Sequence, residues 1–189
     1  MIVPYRPPSS LIADPICAGG DFMGMVRRAL SAPDLARRLP AMERKLLEGE
    51  QAPCPVIHRF APGLYIREIM MPAGSLAIGA HHKTEHYNVM LKGRVLVPDG
   101  VGGTKELVAP LEFVGKPGKK VGYVLEDVVW QNVFATNETD IETLESMFVD
   151  KGSAWQQARL RKTPAVELEM IRADYWRVLD EWGIPHGLA

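Results

Sequence analysis

One stretch of the chain decides its predicted fold: His81-His82-Lys83-Thr84-Glu85-His86-Tyr87-Asn88-Val89-Met90-Leu91-Lys92-Gly93. It contains three of the five histidines and a carboxylate, followed by an apolar run that ends at a glycine. Imidazole nitrogen and carboxylate oxygen together suit Mn, Fe, Ni, Cu or Zn. The apolar run and its turn glycine would place such ligands at the end of a barrel strand. The stretch therefore predicts a β-barrel with a histidine cluster at its mouth.

Short segments bounded by glycine or proline continue this β pattern over residues 56–149. Turns are predicted at Lys92-Gly93 and at Glu126-Asp127, and each ends one strand before the next begins. Strands at spacings of about 8 to 12 residues are typical of a small sandwich or barrel. The predicted strands cover residues 64–71, 75–80, 86–91, 94–97, 105–108, 111–114, 121–125 and 128–135.

Helical spacing appears on both sides of the predicted barrel. Before it, Pro33 and Pro40 divide an amphipathic stretch into two short helices, because proline suits the first turn of a helix better than its middle. After it, an apolar stripe that ends at Gly183 predicts a C-terminal helix. The predicted organisation has four segments: a proline-rich extended arm at 1–20, a helical segment at 21–55, the barrel at 56–149 and a C-terminal helical segment at 150–189.

Composition limits the classes of function. A length of 189 residues suits one domain with extra helices, and a net charge of −1 provides no basic surface for nucleic acid or an anionic membrane. No apolar run approaches the roughly 18 residues that a membrane span needs. The N-terminus lacks the charged and apolar regions of a signal peptide. We therefore expect a soluble protein of the cytoplasm, with no nucleic-acid or membrane partner.

The spacing of the histidine stretch resembles the first motif of the cupin family. In that motif a glycine and two histidines precede a glutamate, and six residues separate the glutamate from a second glycine. Here His86 stands where the family has its glutamate, because six residues separate it from Gly93. His82 stands at the second histidine, and Ala80 replaces the first. The resemblance implies a mainly β fold: a double-stranded β-helix barrel with flanking N- and C-terminal helices.

The second cupin motif, Pro-x-Gly followed by a histidine, is matched only loosely at residues 115–121. Pro117 and Gly118 are adjacent, and Val121 takes the place of the histidine. Two of the family's ligand positions are therefore missing.

The remaining donors define a candidate metal site. If Lys83-Thr84-Glu85 forms a bend, His82 and His86 flank it and can share one ion, with Glu85 as the third ligand. Glu126 and Asp127 are the alternative acids, whereas His81 has the opposite strand parity and should point away. The alternative is that these histidines only hydrogen-bond the loop. No catalytic residue is assigned.

Three functions stay open. The first is a non-enzymatic homo-oligomer or assembly subunit, in which the arm and the helices contact neighbouring subunits. The second is a metal-dependent cupin enzyme of dioxygenase or isomerase type, and the third is a small-ligand-binding cupin. The missing ligand positions favour the first. A similarity in wording to small cupin-like proteins of tailed bacteriophages, at residues 82–86 and 122–130, implies that the assembly could be a phage particle.

Overall fold

The computed structural model describes residues 2–5 as backbone, and residues 21–49 and 51–152 with their side chains. The chain divides into two compact units, Met1–Gly152 and Ser153–Ala189, and every element described belongs to the first. The predicted C-terminal helix lies outside the described residues, and so does the predicted arm apart from residues 2–5.

Two helices precede the barrel, as the positions of proline suggested. They are α1 (Phe22–Leu30) and α2 (Leu35–Glu48). The expectation that Pro40 would divide this region is wrong, because α2 continues through it. Leu35 and Leu39 are buried on one face of α2, and the packing of that face offsets the hydrogen bond that proline cannot donate.

Ten strands and a third helix complete the described part of the chain. Helix α3 (Ile141–Phe148) falls where the β pattern was expected to continue to residue 149. It forms because the Asp140 carboxylate caps it, accepting a hydrogen bond of 2.8 Å from the Thr143 amide. The strands are β1 (Ile2–Tyr5), β2 (Val56–Ala61), β3 (Leu64–Met71), β4 (Leu76–Gly79), β5 (His81–His82), β6 (His86–Pro98), β7 (Thr104–Val108), β8 (Leu111–Gly115), β9 (Val121–Ala135) and β10 (Val149–Asp150).

The turns predicted at Lys92-Gly93 and Glu126-Asp127 are absent, because β6 and β9 each run through these positions as one long strand. Their pairing contains register shifts between Met90 and Val95, so the strands bend at β-bulges instead of ending. Gly93 has a φ of +93°, and a Cβ there would collide with the carbonyl oxygen of Asp127. Glycine is therefore required at a bend between two close backbones.

The two bent strands organise the barrel. All strand pairs are antiparallel, and β6 pairs with β9 along most of its length. Eight strands form one continuous sheet, in one half of which the start of β6 and the end of β9 lie with β2, β3 and β8. In the other half of this sheet, the end of β6 and the start of β9 lie with β1, β4 and β7. A separate two-stranded pair, β5 with β10, lies beside the barrel.

The predicted fold class, a mainly β barrel with flanking helices, is confirmed. An apolar core fills the barrel, and its members come from both halves of the 8-stranded sheet: Ile69, Met71, Ala77, Met90, Val95, Val124 and Val128. Within the described residues, no helix is long and apolar enough to cross a membrane.

Candidate functional site

Three layers of side chains fill the half of the barrel built on β3, the start of β6 and the end of β9. They arise because alternate residues of a strand face the same side, and strand register aligns them across the sheet. Nearest the mouth lies the mouth layer, followed by the polar layer and then the apolar layer. The mouth layer consists of Tyr65, His86 and Phe134. The polar layer consists of Arg67, Asn88 and Asn132, and the apolar layer of Ile69, Met90 and Trp130.

His82 and His86 form a stacked pair at the mouth layer. Their ring centroids are 4.2 Å apart, the ring planes differ by 22°, and both side chains are buried. His86 Nδ1 lies 3.1 Å from the carbonyl oxygen of Thr84, so Nδ1 carries the proton and donates it. His82 Nδ1 is buried without a hydrogen-bond partner among the described residues. The Nδ1 atom of His86 therefore has a hydrogen-bond partner, whereas the Nδ1 atom of His82 can still form a hydrogen bond.

Burial keeps both imidazoles neutral near pH 7. It lowers the pKa of His82 to about 3, and the charges of Arg67 and Lys120 act in the same direction, as does any protonation of His86. Burial also lowers the pKa of His86, with Lys120 adding to the effect. The mouth is thus a region of positive potential in which neutral histidine is favoured.

Backbone pairing on both sides fixes His82. The His82 amide donates to the Gly118 carbonyl at 3.2 Å, and the Gly118 amide donates back at 2.9 Å. On its other side His82 pairs with Val149 of β10. His81 has the opposite strand parity and is exposed. The side chain of Glu85 is exposed as well.

The acids proposed as further metal ligands do not meet the histidine pair. Glu126 is bound to Arg94, with 2.9 Å between Oε1 and Nε, and Asp127 Oδ1 accepts from the Ala73 amide at 2.8 Å. Arg94 lies eight positions beyond His86 on β6, which corresponds to a separation on the order of 25 Å. Within residues 21–49 and 51–152, no group of three or more histidine, cysteine or acidic side chains could hold an ion.

The stacked rings themselves do not fit a shared metal ion. An imidazole nitrogen binds an ion in the plane of its ring, at about 2 Å. Two rings 4.2 Å apart whose planes differ by 22° do not meet in a common plane at that distance. The arrangement of His82 and His86 therefore suits stacking and hydrogen bonding.

The polar layer contains the most unusual side chain of the barrel, Arg67. It is only 4% exposed, and its Nε and Nη2 atoms are buried without a hydrogen-bond partner among the described residues. Burial lowers the pKa of Arg67, an effect that Tyr65 and Glu145 partly oppose. The Glu145 carboxylate is itself ion-paired with Lys151. Arg67 is thus a buried cation with unused donors.

Asn88 connects the three layers. Its Oδ1 accepts hydrogen bonds of 2.8 Å from Asn132 Nδ2 and 3.0 Å from the Trp130 indole nitrogen. Its Nδ2 donates to the carbonyl oxygen of His86 at 3.3 Å. A Cβ at Gly115 would collide with the Asn88 amide, so glycine on β8 makes room for this side chain. The Asn88 carboxamide oxygen is therefore fully used within the barrel.

Aromatic rings cover the mouth layer. Phe148, the last residue of α3, stacks on Phe134 with 4.2 Å between centroids, and Phe134 lies 5.7 Å from Tyr65. The Tyr65 hydroxyl lies 2.7 Å from His58 Nδ1, and burial raises the pKa of Tyr65 to about 12. The cover is held in place because the Lys83 amide donates to the Phe148 carbonyl at 2.9 Å. The mouth layer is therefore a stack of aromatic rings, and the Arg67 cation lies in the layer beneath it.

Sequence reasoning found the histidines and missed the polar layer. Arg67 and Glu68 are adjacent in an apolar segment, and sequence alone does not say which of them faces the interior. The signal that identifies Arg67 is its register, opposite Asn132, which in turn lies opposite Asn88.

No protein-family model matches the chain, and no curated protein is significantly similar to it. Solved structures with a similar fold include a cupin domain. A Cupin_2 domain of an XRE family transcriptional regulator from Enterobacter cloacae is 14% identical, over 46% of this chain and 100% of that chain, with a TM-score of 0.36. Ectoine synthase from P. lautus is 11% identical, over 53% and 77%, with a TM-score of 0.40.

An HTH_3 family transcriptional regulator from Vibrio cholerae is 21% identical over 46% of this chain, with a TM-score of 0.35. The present chain spans 52% of that regulator's length. Both the sequence identities and the TM-scores of these similarities are low.

Proposed function

We propose that this protein binds a small molecule inside the barrel, between the mouth layer and the polar layer. The observation that supports this is a set of buried nitrogen atoms in these two layers that have no hydrogen-bond partner among the described residues: Arg67 Nε and Nη2, together with His82 Nδ1. Arg59 Nε and Arg94 Nε are also without a hydrogen bond, but both of these side chains are ion-paired with a carboxylate. Buried polar groups in folded proteins are nearly always hydrogen-bonded, so such groups mark a place that another molecule completes. Apolar walls with a few convergent polar groups are the usual lining of a small-molecule site, and the two layers have this composition.

Binding of a small molecule through hydrogen bonds, without a metal ion, explains the arrangement of these side chains best. The two histidines stack, and the acids that a metal enzyme would use are exposed or engaged elsewhere. The buried donors instead favour recognition by hydrogen bonds. The metal-dependent enzyme therefore stays an alternative without a specific supporting contact among the described residues.

Nuclear magnetic resonance with a library of small fragments tests this proposal. The expected result is that bound fragments shift the indole signal of Trp130 and the side-chain amide signals of Asn88 and Asn132. A surface groove of about 330 Å³, lined by Phe60, Ala61, Pro62, Leu64 and residues 136–139, provides the competing location. Shifts confined to that groove, or no shifts with any fragment, would refute interior binding.

We also propose that the barrel self-associates, as an assembly component would, through a second copy of strand β8. Among the described residues β8 pairs only with β6, so its outer edge has unpaired backbone groups. Beside this edge Val114 and Tyr87 are exposed apolar neighbours across the two strands. An antiparallel pair of β8 strands about a twofold axis would satisfy the edge and cover both side chains.

Sedimentation velocity of the full chain tests self-association. We expect a dimer or larger species that Val114→Lys dissociates, because a lysine on the edge strand opposes pairing. Val101→Lys is the matched control, since Val101 is exposed in the loop between β6 and β7. A monomeric wild type, or equal effects of the two substitutions, would contradict the proposal. A wider proposal, from the resemblance to phage proteins, is that the assembly is a phage particle and the location a virion. Self-association is its first requirement, so a monomeric wild type would contradict it as well.

A further inference from the structure

We infer that the molecule bound inside the barrel carries a carboxylate, and that the carboxylate pairs with the guanidinium of Arg67. This inference rests on the proposed interior binding and specifies its ligand. The body of the ligand is apolar, because the layers on both sides of the polar layer consist mainly of aromatic and aliphatic side chains.

The three arginines on the described strands provide the first argument. Arg59 pairs with Glu68 at 3.0 Å and Arg94 pairs with Glu126 at 2.9 Å, with side chains that are 21% and 42% exposed. Arg67 is the most buried of the three and makes no ion pair with a described carboxylate. A buried charge needs a partner far more than an exposed one, because it has lost the solvation of water. The missing partner is therefore an anion from outside.

The surroundings of Arg67 show why the protein's own groups do not supply this anion. The acid with an electrostatic effect on it is Glu145, and the ion pair with Lys151 occupies that carboxylate. In the polar layer, Asn88 Oδ1 already accepts hydrogen bonds from Asn132 and Trp130. The only other acceptors in that layer are neutral amide oxygens, so no anion of the described residues balances the guanidinium charge.

The chemistry of the free groups selects a carboxylate. A guanidinium presents parallel donors whose spacing matches the two oxygens of a carboxylate. A single negative charge balances the single cation, whereas a phosphate dianion would leave one charge unbalanced among neutral histidines. Tyr65, Phe134 and Phe148 stack one upon another, so a ligand that reaches Arg67 from the mouth must have a body that tolerates aromatic surroundings. A monocarboxylate with an apolar body fulfils all three requirements.

Access to Arg67 passes the aromatic cover. Phe148 ends α3, and Lys83 anchors it through the Phe148 carbonyl and through a 2.5 Å hydrogen bond from Nζ to the Ser146 carbonyl. These contacts join β5 to α3 and β10, which together form one side of the mouth. Entry of a ligand therefore requires outward displacement of Phe148 or of its helix.

Titration of the full chain with sodium benzoate and with benzamide tests the inference, read by the same interior signals and by calorimetry. The two probes have the same ring and differ in charge. We expect benzoate to bind roughly tenfold more tightly than benzamide, because charge-assisted hydrogen bonds are the stronger ones. In Arg67→Met the ratio of the two affinities should fall close to one.

Arg59→Met is the matched control, because Arg59 lies on the neighbouring strand, faces away from the polar layer and pairs with Glu68. It should leave the benzoate preference unchanged. If Arg67→Met does not fold, Arg67→Lys serves instead, since it keeps the charge and loses the paired donors. A reduced preference for benzoate in that variant supports the inference, and an unchanged preference overturns it.

The outcomes of this titration distinguish a failure of the carboxylate inference from a failure of the proposed interior binding. If benzoate and benzamide shift the interior signals equally, interior binding stands and the carboxylate inference fails. If neither probe shifts them while other fragments do, the inference also fails and the proposed function survives. If no small molecule reaches the interior, both fail.

Discussion

The imidazole rings of His82 and His86 stack at 4.2 Å although the two residues lie on different strands. The bend at Lys83-Thr84-Glu85 returns the chain so that both rings enter the same space. Stacking directs their nitrogen atoms to different groups: His86 Nδ1 to the Thr84 carbonyl, and His82 Nδ1 to no described atom. The stacked geometry of His82 and His86 is therefore that of a hydrogen-bonding pair and differs from that of two ligands of one metal ion.

Metal analysis of the purified protein is the first prediction. We expect no stoichiometric Mn, Fe, Ni, Cu or Zn, and no difference from the double variant His82→Ala/His86→Ala, because the stacked rings cannot direct two nitrogens at one ion. Inductively coupled plasma mass spectrometry of protein purified without chelators measures this. Stoichiometric metal in the wild type that the double variant loses would restore the predicted site of His82, His86 and Glu85.

Acid destabilisation is the second prediction, and it concerns His58. Burial, aided by Arg67, lowers the pKa of His58 to about 4 from an ordinary value of 6.5, while Glu145 opposes the shift. The unfolded chain therefore binds a proton that the folded chain does not, so stability is lost as the pH falls from about 6.5 to 4. The loss should be on the order of 1 to 2 kcal/mol, since His58 is only partly buried.

Urea denaturation at pH 7 and at pH 4.5 measures this loss, with His58→Gln as the comparison. The glutamine variant cannot take up the proton, so its stability should fall less between the two pH values. Tyr65→Phe separates the charge from the 2.7 Å contact between His58 Nδ1 and the Tyr65 hydroxyl. Equal pH dependence in wild type and His58→Gln would assign the acid sensitivity to other groups, namely His82, His86 or the carboxylates.

The local features of this fold could be predicted from the sequence. The burial of His86 and the special backbone at Gly93 follow from signals within a few residues, namely strand periodicity and a turn glycine. Whether β6 ends or bends at Gly93 could not be predicted, since that depends on β9 lying alongside it. Arg67 and Glu68 are both buried on opposite faces of β3, and only the pairing of β3 with β9 determines which one enters the barrel.

Substitution of Gly93 is the third prediction. Gly93→Ala should lower the free energy of unfolding by more than about 2 kcal/mol, because φ is +93° and the added methyl group meets the Asp127 backbone. Gly79→Ala is the matched control, since its nearest atoms, on Lys120, lie 3.7 Å away in ordinary contact. Equilibrium urea unfolding of both variants measures the difference. Similar stability for the two would mean that the bend in β6 accepts a side chain.

The last prediction concerns a shortened side chain in helix α3, because this helix packs on the mouth layer. Leu144 is 0% exposed and packs with Tyr65 and Phe134, so Leu144→Ala should cost about 2 to 5 kcal/mol of stability. Ile141 is on the same helix and 40% exposed, which makes Ile141→Ala the control, with a loss of about 1 kcal/mol or less.

Thermal and urea unfolding measure the stability, and hydrogen exchange at the backbone amides of residues 141–148 measures local opening. If α3 covers the mouth, Leu144→Ala should accelerate exchange in α3 and at His82 before it affects β9, because the cavity loosens the helix while the barrel core keeps its packing. Uniform acceleration across the barrel would instead make α3 an integral part of the core.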